Sequence, residues 1–358
     1  APSKPEDAIL LFWSKFQYGQ LLGAYVSSAR GSKVKSDYMI DDRLSMLTKS
    51  PVKFIASVRK VRKLIKKEKI ELVHVHSTIA GILMVIYKMM YHDGIPVVFT
   101  PHAYFSEVDR GRLKNILLIS IERFMNRFFE KVIHVSREEE SYALDNDLVA
   151  SSKSVVVSNG VSKPTIKKKE HSGIVFINVA RCSFQKNPQL FIKIATKLIS
   201  CVPNSKFIWV GDGPLLDECR KRVTQSGVNK KIEFVGYSDN PYEYLAQSDV
   251  FFSTARYEGL PFSVLEALSF SMPVMLTNII GHKELVEGNG FLIDKNDMNW
   301  GGFVKNVQNI ISNSQSMAEA SHKLYIRKFS VEKMVSGIES LYESEFYNQV
   351  SHLEFRTK

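Results

Sequence analysis

The run Val250-Phe251-Phe252-Ser253, followed by Arg256-Tyr257-Glu258-Gly259-Leu260-Pro261-Phe262-Ser263-Val264-Leu265-Glu266-Ala267-Leu268, decides the fold. A short apolar run leads into a polar loop. Pro261 then suits the first turn of a helix, where the amide donor it lacks would have no partner anyway. The stretch reads as strand, loop and helix N-terminus. The same alternation recurs outward in both directions, with strands predicted at 72–76, 96–100, 131–136 and 154–158 in the first half and at 174–179, 206–210, 232–235 and 273–276 in the second. Near-continuous apolar strands separated by helical patterns imply parallel sheets covered on both faces, hence an α/β protein.

The chain has 358 residues, which suits two domains of roughly 150 to 200 residues better than one core. At 44% hydrophobic and 24% charged the composition is globular and excludes disorder as the main state. Cys182, Cys201 and Cys219 form no C-x-x-C pair, so neither a disulfide framework nor a cysteine zinc site is indicated, and a reducing compartment fits. No signal peptide and no run long enough to span a bilayer is read, and the expected location is cytoplasmic, with room for peripheral contact at the inner face of the membrane. Residues 1–170 hold 28 basic against 18 acidic residues, so most of the +11 net charge lies in the first half. Residues 51–70 concentrate eight basic residues against Glu68, with Phe54, Ile55, Val58, Val61 and Ile65 at helical spacing. That is a basic amphipathic helix, either a crossover helix with solvated lysines or a contact for anionic lipid. No nucleic-acid motif accompanies the charge, and no nucleic-acid partner is expected.

Chemistry concentrates in the second half. Amides at Phe262 and Ser263, at the start of the helix, favour a phosphate, and Gly259 allows close backbone approach. Glu258 and Glu266 lie eight positions apart on loop and helix, so both can face one ligand; equally, Glu258 could cap the helix and Glu266 lie on its surface. In Val179-Ala180-Arg181-Cys182-Ser183-Phe184-Gln185-Lys186, Arg181 follows a strand end and Lys186 opens the next helix, a fork and a point charge suited to a diphosphate. Gly211-Asp212-Gly213 follows another strand but lacks the third glycine of a dinucleotide fingerprint, and a tight turn suffices to explain it. Gly236-Tyr237 is a further strand end, where a base can lie against an aromatic edge.

In this order and spacing, the segments at 181–188, 211–214, 236–237 and 258–266 resemble the retaining glycosyltransferases of family 4. The resemblance covers roughly residues 70–345 and includes His74-Val75-His76-Ser77, Thr100-Pro101-His102-Ala103 and Val156-Val157-Ser158-Asn159-Gly160-Val161. It implies the GT-B fold, two Rossmann-like doubly wound domains facing a central cleft. The N-terminal acceptor domain is expected over 1–160, a linker over 161–172, the donor domain over 173–340, and a C-terminal helix and tail over 341–358 packing back on the first domain.

Carried over by position, the resemblance implies that Glu258 and His102 are catalytic, with Glu258 at the donor sugar and His102 reaching it from the first domain. Arg181, Lys186, Phe262 and Ser263 would bind the donor diphosphate, and Gly259 and Leu260 the donor sugar. Glu266 would accept from the ribose hydroxyls and Tyr237 would lie near the base. No metal or other cofactor is expected. The donor is a nucleotide sugar, by default a UDP-sugar, and the acceptor a glycan or lipid-linked glycan of surface polysaccharide assembly. Alternatives are a GT-B scaffold that binds without transfer and a nucleotide-sugar epimerase. The chain departs from the family near its start, where Ser14-Lys15-Phe16-Gln17-Tyr18-Gly19-Gln20 replaces a twin-glycine loop and Gly19 is the loop candidate.

Overall fold

The computed structural model describes residues 51–108, 110–294 and 299–344, together with the backbone of three strands, β1 (Ala8–Trp13), β2 (Gly23–Ser28) and β3 (Ser36–Ile40). Gly19 and residues 345–358 of the expected tail lie outside the described residues. The chain divides into two units, Ala1–Val157 and Ser158–Lys358.

In the first unit, β4 (Ile70–His76), β5 (Val97–Thr100), β6 (Lys131–His134) and β7 (Ser154–Val156) continue in parallel from β1. The strand order is β3-β2-β1-β4-β5-β6-β7. β1 precedes the Ser14–Gln20 segment, and neither it nor the antiparallel ribbon β2–β3 beside it is among the predicted strands. The crossovers are α1 (Pro51–Lys67), α2 (Thr78–Tyr91), α3 (Arg112–Asn126) and α4 (Arg137–Asp145). In α1, the basic amphipathic helix, Val58, Val61 and Ile65 are buried in the core with Val73, Val75 and Phe99. Its lysines are left facing solvent, and Arg62 lies over the Tyr91 ring at 4.0 Å. The apolar stripe is therefore committed to the core, as a crossover helix requires. Among the described residues no helix is long and apolar enough to cross a membrane.

The second unit contains β8 (Ile174–Val179), α5 (Pro188–Cys201), β9 (Ser205–Val210), α6 (Leu216–Gln225), β10 (Ile232–Gly236), α7 (Pro241–Leu245), β11 (Val250–Ser253), α8 (Phe262–Ser269), β12 (Val274–Thr277), β13 (Gly290–Ile293), α9 (Trp300–Ser312), α10 (Ser314–Leu324) and α11 (Val331–Tyr342). All six strands run parallel in the order β10-β9-β8-β11-β12-β13. The chain leaves β8 towards one edge and returns to β11 towards the other, so the topological switch lies between the ends of β8 and β11, where open α/β sheets bind ligands. Phe191 of α5 stacks on Phe252 of β11 at 4.8 Å and meets Trp209 of β9 edge-on at 5.2 Å, which makes a rigid aromatic floor beneath that edge. β13 escapes the sequence reading because it is short and opens on glycine. A Cβ at Gly290 would stand 1.8 Å from the Val274 carbonyl oxygen, so only glycine lets this strand close on β12.

The segment expected as a linker is fastened within the second unit. Val161 pairs with Ser330, Gly160 donates to the Met334 sulfur, and the Lys169 amide donates to the Ala246 carbonyl at 2.8 Å. Its polar composition hides these backbone contacts, which side-chain patterns do not encode.

Candidate active site

Two loops meet at the switch point. After β8 the chain runs through Ala180, Arg181 and Cys182 to Asn187, where a left-handed backbone (φ 55°) turns it into α5 with Pro188 in the first turn. After β11 it runs through Thr254 and Glu258 to Pro261, from which α8 starts. The loops are stapled together. The Thr254 hydroxyl donates to the carbonyls of Lys186 and Asn187 at 3.1 and 3.0 Å, Arg256 donates to the Asn187 side chain at 2.9 Å, and Gln185 donates to the Tyr257 carbonyl at 3.1 Å. The staple brings the Lys186 ammonium onto the Glu258 carboxylate, with the two side chains only 9% and 8% exposed.

α8 supplies the third component. The first amides bonded within it are those of Val264 and Leu265, both to the Pro261 carbonyl, so Phe262 and Ser263 carry the amides the helix leaves without an internal partner. The positive end of the helix dipole is there too. Leu260 contributes backbone only: its side chain is buried, and its carbonyl accepts from Asn159 at 2.8 Å. Asn159, which the sequence marks only within the 156–161 segment of the resemblance, thus fixes the loop between Glu258 and α8. Arg181 is exposed on the neighbouring loop.

The glycine turn after β9 does more than turn. A Cβ at Gly211 would lie 2.1 Å from the Ala180 carbonyl oxygen, and the Gly211 amide donates to the Gly236 carbonyl at 2.7 Å, while the Cys182 amide donates to Asp212. The ends of β8, β9 and β10 are thus laced edge to edge, and the backbone carrying Arg181 is fixed by the lacing. Tyr237, just beyond β10, is exposed, and its hydrogen bond to Asp239 pushes its phenol upward.

Glu266 lies one turn into α8, where burial pushes its carboxyl up to about 7, opposed by a hydrogen bond from the Tyr242 hydroxyl at 3.1 Å. Tyr242 was not singled out in the sequence. Nor was the segment Gly281-His282. A Cβ on Gly281 (φ +79°) would stand 1.7 Å from the Gly259 carbonyl oxygen, so this glycine allows the Glu258–Gly259 loop its position. His282 is fully buried, with Nδ1 2.9 Å from the Thr277 carbonyl and Nε2 without a partner. Burial, with the nearby Lys186 charge, holds it down to about 3, so it is a neutral imidazole.

His102 belongs to the first unit, where it follows β5. It and Ala103 both have positive φ, 60° and 121°. Its Nε2 is 3.0 Å from Nδ1 of His76 at the end of β4, and their rings stack. One ring must donate to the other, and burial holds His102 down to about 4, so both are neutral near pH 7. His76, read from the sequence mainly as a strand residue, therefore also orients His102. His74 bonds the Thr100 hydroxyl at 2.8 Å.

The chain is similar to known proteins over most of its length. The family model described as "Glycosyl transferases group 1" matches residues 162–328, and that described as "Glycosyltransferase Family 4" matches 37–163. An Escherichia coli UDP-Gal:alpha-D-GlcNAc-diphosphoundecaprenol alpha-1,3-galactosyltransferase is 29% identical over 82% of this chain and 80% of its own length. The E. coli O-antigen biosynthesis glycosyltransferase WbnH is 27% identical over 76% of this chain and 77% of its own. Among solved structures, Anabaena Alr3699/HepE in complex with UDP superposes with TM-score 0.67 at 20% identity, covering 81% of this chain and 82% of that one. The sucrose-phosphate synthase of Thermosynechococcus elongatus superposes with TM-score 0.72 at 16% identity, covering 86% and 83%. The chain belongs to the family 4 glycosyltransferases and has the GT-B fold. It is a glycosyltransferase enzyme.

Proposed function

We propose that this glycosyltransferase moves a sugar from a UDP-sugar to a lipid-linked glycan during surface polysaccharide assembly, with retention at the anomeric carbon and without a metal ion. The observation that carries the reading is the buried Lys186–Glu258 pair at the switch point beside the N-terminus of α8. Three further supports come from the names of similar proteins. The E. coli galactosyltransferase is named for UDP-Gal and a diphosphoundecaprenol acceptor, Anabaena HepE was solved with UDP, and WbnH is named for O-antigen biosynthesis. The site of action that follows is the cytoplasmic face of a membrane.

In this mechanism Arg181, Lys186 and the Phe262 and Ser263 amides neutralise the diphosphate, a preorganised electrostatic arrangement that replaces a divalent ion. Glu266 accepts from the ribose hydroxyls, and Tyr237 lies against the base. Glu258, with the amides of Gly259 and Leu260, holds the donor sugar, and His102 is the catalytic residue supplied by the first unit. The bond between the anomeric carbon and the β-phosphate oxygen breaks while the acceptor oxygen bonds that carbon on the same face. The acceptor proton passes to the departing phosphate, so no covalent glycosyl-enzyme is required.

The test is a thermal-shift panel of UDP, GDP, ADP and CMP sugars with EDTA present, repeated on Arg181→Ala and Lys186→Ala. Stabilisation by the UDP-sugar alone, on the order of 2 to 3 kcal/mol at a hundredfold excess over Kd and lost in both variants, supports the reading. A shift that requires a divalent cation, or a response to another base only, overturns it.

A further inference from the structure

Among the described residues of the first unit, five of the ten exposed large apolar side chains lie on one helix. On α3, Leu113 is 83%, Leu117 61%, Ile116 52%, Phe124 48% and Ile121 45% exposed. At about 100° per residue, Leu113, Leu117 and Phe124 fall on one line of the helix surface, with Ile116 and Ile121 to either side. Glu122, Met125 and Asn126 occupy the opposite, buried side. An ordinary surface helix of an α/β domain reverses this arrangement, presenting polar residues outward. A contiguous apolar face of this kind marks an interaction surface.

The charge around the face identifies its partner. Arg110, Arg112, Lys114 and Arg127 are exposed at its ends and shoulders, and the only acid between residues 110 and 127 is Glu122, which is buried. Apolar centre, cationic shoulders and no outward acid are the requirements of a helix lying in the plane of an anionic bilayer, with its side chains at the acyl boundary and its cations among the phosphates. The basic helix α1 exposes only Val52 among its large apolar residues, because its stripe is in the core. We propose that α3, through Leu113, Ile116, Leu117, Ile121 and Phe124, docks this enzyme flat on an anionic membrane surface.

The buried side of α3 ties this surface to the loop that carries His102. The Glu122 carboxylate accepts the Phe105 amide at 2.7 Å and the Ser106 hydroxyl at 2.5 Å, and the Tyr142 hydroxyl donates to Ser106 at 2.9 Å. Phe105 is three residues beyond His102, so the docking helix backs directly onto the loop carrying that histidine. The inference rests on the lipid-linked acceptor reading for its purpose. Its test uses no sugar transfer, so the two fail separately.

The experiment is co-sedimentation of the full chain with vesicles of phosphatidylcholine containing about a third phosphatidylglycerol, and with phosphatidylcholine alone. Binding to the anionic vesicles that weakens with added salt is expected. Leu117→Glu/Phe124→Glu should lower the partition coefficient at least about tenfold, and Arg112→Glu/Lys114→Glu should remove most of the salt-sensitive part. Circular dichroism melts confirm that each variant is folded, which is expected because all four side chains are exposed. Wild-type binding by Leu117→Glu/Phe124→Glu, or loss of binding only on Lys60→Glu/Lys63→Glu in α1, overturns the proposal. So does a dimer in light scattering that Leu117→Glu/Phe124→Glu converts to monomer, which would make the face a self-interface.

Discussion

Replacing Lys186 by methionine keeps the stem of the side chain but leaves the Glu258 carboxylate, 8% exposed, without its counter-ion. Stranding one member of a buried ion pair costs about 3–5 kcal/mol, because the remaining charge keeps its desolvation penalty and loses its Coulomb compensation. For a unit the size of residues 158–358, each kcal/mol moves the midpoint by about 2–4 °C, so the donor unit of Lys186→Met should melt roughly 6–20 °C lower near neutral pH. Lys186→Met/Glu258→Gln, which removes both charges, should recover most of the stability while still failing to bind UDP. Scanning calorimetry of the three proteins at pH 8, with UDP titrations beside it, reads both quantities. A Lys186→Met protein melting within about 2 °C of wild type at pH 8 would refute the buried-pair account, since an exposed pair contributes at most about 1 kcal/mol.

Gly281→Ala must displace the Gly259 carbonyl by more than an ångström from a contact of 1.7 Å, and should slow transfer roughly a hundredfold, as kinetics with saturating acceptor will show. On the proposed reading, in which an ionised Glu266 accepts from the ribose, burial pushing its carboxyl up to about 7 means that UDP affinity should fall as pH drops below 7, and isothermal titration of Glu266→Gln should show that slope gone. His102→Gln should lower kcat about a hundredfold or more with the UDP Kd unchanged, measured by transfer assay and titration side by side. Equal losses in both quantities would instead place His102 in the structural support of its loop.

Strand positions were legible in the sequence wherever β-branched runs stood between helical patterns, and β8 and β11 coincide with their predicted bounds. The weak points share a physical cause. β13, Gly281 and the fastening of residues 158–169 depend on one backbone approaching another, and a sequence records such approaches only as a glycine or an unremarkable polar residue. For the site, Arg181, Lys186, Glu258 and Glu266 stood out because charged side chains at strand ends and helix starts have few ordinary reasons to be there. Thr254, Gln185, Arg256 and Tyr242, which hold them, make hydrogen bonds between loops some 70 positions apart or from one helix to the next, and nothing local marks them. The outward apolar face of α3 was equally hidden, since periodicity shows that a helix has an apolar stripe but not which side the sheet covers.

The two consecutive positive-φ residues at His102 and Ala103 set stability against geometry in one short loop. A non-glycine residue in such a conformation costs about 1–3 kcal/mol, and here the loop is restrained by Glu107 on the Tyr104 amide and Glu122 on the Phe105 amide. Any population of variants selected for heat resistance will therefore find Ala103→Gly attractive, because it removes that strain. The same change frees the histidine to wander, so directed evolution for thermostability at this loop should drift away from catalytic competence unless both are selected together.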